Sequence, residues 1–207
     1  MAPRRLPSDA GIAIGPILFI LGVLGVIATV MAAGGSGGFG SAGVADRVVA
    51  DVGGQANLIR AKVNECYMQY IVNGVNNGSG ACGNDPYPCS DQTNGSLAAD
   101  MTCPNDPLTS GGAEQSLWTG PRLASLPPPT KGFNAWKYMN AGESGGRCIW
   151  TAPTNGKRNP GDIEGLKKVA AKFTSQELSY DPTSNSQKMV IFITRPTGSA
   201  DSHCTVP

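Results

Sequence analysis

A single histidine, His203, stands directly before Cys204, and this pair is the first place to look for a nucleophile and its base. Cysteine–histidine chemistry needs a free thiol and an imidazole converging from separate parts of a fold. Cys204 is one of six cysteines, with Cys66, Cys82, Cys89, Cys103 and Cys148, and all of them lie beyond residue 65. An even set of this kind reads as a disulfide framework in an oxidising compartment, with fifteen possible pairings. A bonded Cys204 has no thiolate to offer. The spacings also lack the close cysteine pairs of structural zinc sites. Asp85, Asp91, Asp100 and Asp106 crowd one segment with calcium-type oxygen ligands, but outside the register of a calcium loop. They are expected to form turns. A phosphate-cradling glycine loop, a GxSxG elbow and an HExxH pair are all missing. The expectation is a protein that is not an enzyme and carries no cofactor or metal.

Binding chemistry is better represented. Trp118, Trp136, Trp150, Tyr67, Tyr87 and Tyr138 suit a sugar- or partner-binding face if exposed, and a core if buried. In so loop-rich a chain the core is the expectation. Asn77 and Asn94 each open an Asn-Gly-Ser triplet, the acceptor pattern for N-glycosylation.

These residues have to be positioned by a chain that divides sharply. Between residues 10 and 45 there is no charged side chain, and residues 11–33 make one apolar run. As a helix that run would reach roughly 35 Å, more than the ~20 residues a bilayer core requires. Arg4 and Arg5 precede it, and the next Lys or Arg is Arg47. This asymmetry places the N-terminus in the cytoplasm and the cysteines outside. With Arg4, Arg5 and Asp9 set aside from 16 basic and 15 acidic residues, fourteen of each remain. The remainder is close to neutral, so no basic field exists to attract nucleic acid. The run has three readings: a cleavable secretory signal ending near Val30 and Ala32, a permanent anchor, or the spine of an assembling subunit. Ordinary signal cores are about 7–15 residues, shorter than this one.

The leader "MAPRRLPSDAG", the helix "ILGVLGVIATVMA" and the succession of an amphipathic helix and a cysteine-containing domain with strands together resemble the type IV pilins and pseudopilins. The resemblance is specific over residues 1–33 and architectural beyond. It implies cleavage by a prepilin peptidase between Gly11 and Ile12. It also implies a helix whose assembly face is Ile17, Leu18, Phe19, Ile20, Leu21, Val23, Leu24, Val26 and Ile27. Two positions depart from the family: Pro16 stands where it usually has a glutamate, and Ile12 where it usually has phenylalanine. A buried terminal ammonium without that glutamate would be costly. Many pilins close their C-terminal region with a disulfide, and by that resemblance Cys148 and Cys204 are one candidate pair.

Beyond the run, residues 34–43 are so glycine-rich that a hinge is expected, each helical glycine costing about 1 kcal/mol relative to alanine. From residue 44 to 72 the period is helical. Val48, Val52, Ile59, Val63, Cys66 and Tyr70 share one face, with a possible bend at Gly53 and Gly54. Cys66 on that face could tie the helix to the loop after it. Residues 73–107 read as turns. Strands are expected over 133–139 and 147–152 as a hairpin, and over "QKMVIFITRP". A short helix is expected around Ile163, Leu166, Val169, Ala170 and Phe173, with Asp162 near its start and Lys172 near its end.

The expected architecture is α+β: a basic leader 1–11, a transmembrane or filament-core helix 12–33, a hinge 34–43, and an extracytoplasmic domain 44–207. In that domain an amphipathic helix packs on a small antiparallel sheet with disulfide-tied loops. The expected function is that of a pilin-like structural subunit in the inner membrane or an extracellular filament. Its partners would be copies of itself, other pilin-like subunits and the membrane. The alternative is a single-pass anchored binding module whose loop over 73–129 takes a glycan, surface ligand or partner protein.

Overall fold

The computed structural model describes residues 39–72, 88–91, 93–104, 114–118, 125–154 and 159–206. The leader, the Gly11–Ile12 junction, the apolar run with its assembly face, and Cys82 lie outside the described residues. The chain divides into two units, 1–42 and 43–207, and the core lies in the second. Among the described residues no helix is long and apolar enough to cross a membrane.

The architecture is mixed helix and antiparallel sheet. Helix α1 is Phe39–Val72, 34 residues, or roughly 50 Å at 1.5 Å per residue. Ala45, Val48, Val52, Ala56, Ile59, Val63 and Cys66 are fully buried along it, spaced three or four apart as the helical period demands. Burying each Val or Ile contributes roughly 1.5–3 kcal/mol. The side chain of Tyr70, assigned to the same stripe, lies outside the described set.

One expectation about this helix needs correction: it begins at Phe39, inside the segment read as a hinge. It is continuous through Gly53 and Gly54. Helical stability in a folded protein comes mainly from packing of the apolar face, not from propensity. Ala45 and Val48 hold the first turns, and Val52 and Ala56 flank the glycine pair. The glycines are also concentrated at 34–38, with only Gly40 and Gly43 between Phe39 and Val44.

Five strands form the main sheet: β1 Ser96–Leu97, β4 Lys137–Asn140, β5 Arg147–Thr151, β6 Leu178–Tyr180 and β7 Met189–Thr194. Their spatial order is β1-β4-β5-β7-β6, and every neighbouring pair is antiparallel. Side chains alternate between two faces with period two. Tyr138, Ile149, Met189 and Ile191 join the α1 stripe in one core. Met139, Cys148, Trp150, Val190 and Phe192 form a second core with Cys204. Register unites each set, with Tyr138 opposite Ile149 and Ile149 opposite Ile191. A smaller ladder joins β2 Thr102–Pro104 to β3 Glu114–Ser116.

The hairpin expected over 133–152 is β4–β5, closed by a one-turn helix, α2 Gly142–Gly145. Its first strand is shorter than expected. Phe133 makes only an isolated bridge to Pro153, and a proline offers no N–H to continue the ladder. Helix α3 is Pro160–Ala170; Asn159 caps it by accepting the Gly161 N–H at 3.0 Å, and Pro160 suits the first turn. Lys167 and Lys168, not Lys172, are the cations of its last turn. Gly165 lets α3 lie directly on α1, since a Cβ there would come within 2.6 Å of Val48 Cβ.

Candidate functional site

The helix, the sheet and the segment after α3 enclose three places where side-chain chemistry gathers. One is an open groove of ≈ 430 Å³ bounded by α1 and residues 172–177. Val49, Ala50, Gly53 and Gly54 form the helical side. Opposite them Phe173 supplies a ring, over which Arg60 lies with its guanidinium carbon 5.6 Å from the centroid. Arg60 Nη2 also donates to Glu177 Oε1 at 3.2 Å. Glu177 accepts from the Thr174 N–H and hydroxyl, both at 3.1 Å. The Thr174 backbone donor first, then Arg60, hold this carboxyl below its usual range. Asn57 and Lys172 also line the groove and are exposed.

The second place is the tail. A 3₁₀ turn, Ser202–Cys204, is fixed to β5 by the Cys148–Cys204 disulfide. Lys188 Nζ donates to the carbonyls of His203 at 2.6 Å and Thr205 at 2.9 Å, and lies 5.2 Å from the Trp150 ring centroid. Burial pushes this ammonium below the usual lysine range, with Asp201 opposing the shift. His203 Nδ1 lies 2.8 Å from Asp201 Oδ1, and its ring is 5.5 Å from that of Trp150. With the Cys204 sulfur bonded, this cluster holds an imidazole and a carboxylate but no thiol. Its geometry is that of a clamp on the second core.

The third place is Arg147 at the start of β5. It is buried, with its guanidinium carbon 4.3 Å from the Tyr67 ring centroid and Nη2 donating to Thr194 Oγ1 at 2.7 Å. Among the described residues Nη1 is buried without a hydrogen-bond partner.

The residues singled out by the sequence are spread among these places and the cores. Cys66 pairs with Cys103 and Cys148 with Cys204. Cys89 is also disulfide-bonded, and no described cysteine is free. Cys66 thus ties α1 to β2. Trp136, Tyr138 and Trp150 are buried, whereas Tyr67 and Trp118 are partly covered and Tyr87 lies outside the described residues. The described aromatics therefore serve the cores and form no open aromatic face. Trp136 Nε1 donates to Gln55 Oε1 at 2.8 Å, and Gln55 Nε2 donates to the Pro128 carbonyl at 2.8 Å. This satisfies a buried glutamine within the α1 stripe. Asp91 accepts from the N–H groups of Thr93 and Asn94, as a turn residue does. Among the described residues no three His, Cys, Asp or Glu side chains gather as metal ligands. Asn94 is exposed in that turn.

The groove is not apparent from the sequence, because Asn57 and Glu177 are far apart in the chain. Its one local signal is the glycine pair in mid-helix, which reads as a bend. In comparisons with known proteins, no family model, no curated protein and no solved structure matches the chain.

Proposed function

We propose that the chain is a pilin-like structural subunit, inserted in a membrane by residues 12–33 and assembling into an extracytoplasmic filament through that same run. The observation that carries this reading is the position of α1. It starts at Phe39, shortly after an apolar run that ends at Ala33, and lays its apolar stripe across an antiparallel sheet. A helix so placed joins an adhesive apolar segment to a rigid outer domain. Disulfides within that domain agree with an oxidising exterior. In this reading Ile17, Leu18, Phe19, Ile20, Leu21, Val23, Leu24, Val26 and Ile27 supply the assembly surface, and the partners are identical or related subunits and the lipid bilayer. No catalytic role is assigned to any residue.

Electron microscopy of material sheared from the native cell surface, with an antibody against residues 43–207, tests the reading. Labelled filaments are expected, and Leu24→Lys should abolish them while leaving the domain's disulfides formed. Labelled cells with no filaments under any growth condition would refute it.

A further inference from the structure

Gly53 and Gly54 occupy the middle of a 34-residue helix, where each costs about 1 kcal/mol relative to alanine. A helical glycine is ordinarily explained by a neighbour that leaves no room for a Cβ, as Val48 does at Gly165. Gly53 is half-buried and Gly54 exposed, and among the described residues a Cβ on either would meet nothing within 4 Å. The packing of the chain therefore does not account for them. What the missing side chains do is leave bare helix backbone along the wall of the ≈ 430 Å³ groove, a volume within the ~300–1,000 Å³ of small-molecule sites.

The lining selects among ligands. Phe173 lines the groove with a half-buried ring that Arg60 overlies, and offers its remaining apolar surface to a flat body. Arg60 is already matched by Glu177 at 3.2 Å, so its charge is largely spent. Among the described residues Lys172 has no ion-pair partner and the Asn57 side chain makes no hydrogen bond. One uncommitted cation and one amide in the same lining fit a single negative charge, and the Glu177 carboxylate disfavours a second.

We propose that this groove binds a small aryl carboxylate, with its ring against Phe173 and the backbone of Gly53 and Gly54, and its carboxylate on Lys172 and Asn57. The site needs only the folded domain and is independent of filament assembly. Phenylacetate and its neutral analogue phenylacetamide are the probes, titrated into the full chain in lipid nanodiscs, with empty discs as the blank and amide chemical shifts as the readout. Saturable shifts at Gly53, Gly54, Asn57 and Phe173 are expected with phenylacetate. Binding should weaken about tenfold or more with phenylacetamide or in Lys172→Gln, the loss expected for a charge-assisted hydrogen bond. Gly54→Leu should abolish binding by filling the groove, without lowering the melting temperature. Absence of saturable binding, indifference to Gly54→Leu, or equal affinity for the two probes would overturn the proposal. So would concentration-dependent shifts of the free chain at these residues that Gly54→Leu removes, which would assign the groove to a second copy.

Discussion

Two glycine-to-alanine substitutions, at Gly54 and Gly165, make the same chemical change in two helices and should move stability in different directions. Each gains about 1 kcal/mol of helix propensity. At Gly54 the new methyl meets nothing within 4 Å, so the gain stands alone. At Gly165 it would lie 2.6 Å from Val48 Cβ, 2.7 Å from Val48 Cγ1 and 3.0 Å from the Ala45 carbonyl. The backbone oxygen and the branched carbon cannot turn aside as a flexible side-chain end would, so α3 must move off α1. Overpacking of this kind costs roughly 1–3 kcal/mol. Propensity cancels in the difference between the variants, which is therefore roughly 1–3 kcal/mol. At about 2–4 °C per kcal/mol for a domain of this size, their melting temperatures should differ by about 2–12 °C. Thermal unfolding with disulfides intact, followed by the near-ultraviolet signal of the buried tryptophans, measures this directly. If Gly165→Ala proves as stabilising as Gly54→Ala, the α1–α3 contact is not as described.

Other outcomes depend on single contacts. Replacing both Cys148 and Cys204 by serine removes a bridge spanning 56 residues; chain entropy alone puts the loss at roughly 4 kcal/mol, measurable by urea unfolding. Asn159→Ala should cost about 1 kcal/mol by uncapping α3, and the same titration reads it. Arg147→Met retains volume and removes a buried, half-satisfied cation, so stability should be unchanged or rise by about 1–3 kcal/mol; a large loss would mean that the Tyr67 contact outweighs burial. Glu177 should titrate below its ordinary 4.5 by carboxyl NMR. Because its folded pKa is lowered, the stability it contributes is present above the unfolded pKa and is lost as pH falls through the folded one. Arg60→Met should bring that midpoint partly back up while the Thr174 bonds persist.

What the sequence discloses depends on how local the cause is. The α1 stripe, α3, β5 and β7 are each marked by consecutive side chains and appear in the segments expected, with α3 ending at Ala170, short of Phe173. Strands β1 and β6 are only two and three residues long, and they exist because β4 and β7 offer them an edge. No intrinsic pattern in Ser96–Leu97 announces that pairing. The start of α1 escapes a reading of glycine propensity alone, because the packing of Ala45 and Val48 overrides it. Disulfide pairing depends on the fold, so Cys66–Cys103 is legible only as a link from helix to loop. The groove joins residues from α1 to residues beyond α3, and its sole local mark, Gly53 and Gly54, has one meaning as a bend and another as a bare wall.

Residues 43–207 form the compact unit that holds the core, so the central claim rests on the processing of the segment before them. Intact mass and N-terminal sequencing of the chain recovered from its native membrane or sheared surface fraction test it most directly. Assembly through residues 12–33 requires a mature terminus at Ile12. A terminus at or near Met1 would leave a permanent anchor, and a cut near Ala32 would make the apolar run a discarded signal. Either result would contradict the pilin-like reading.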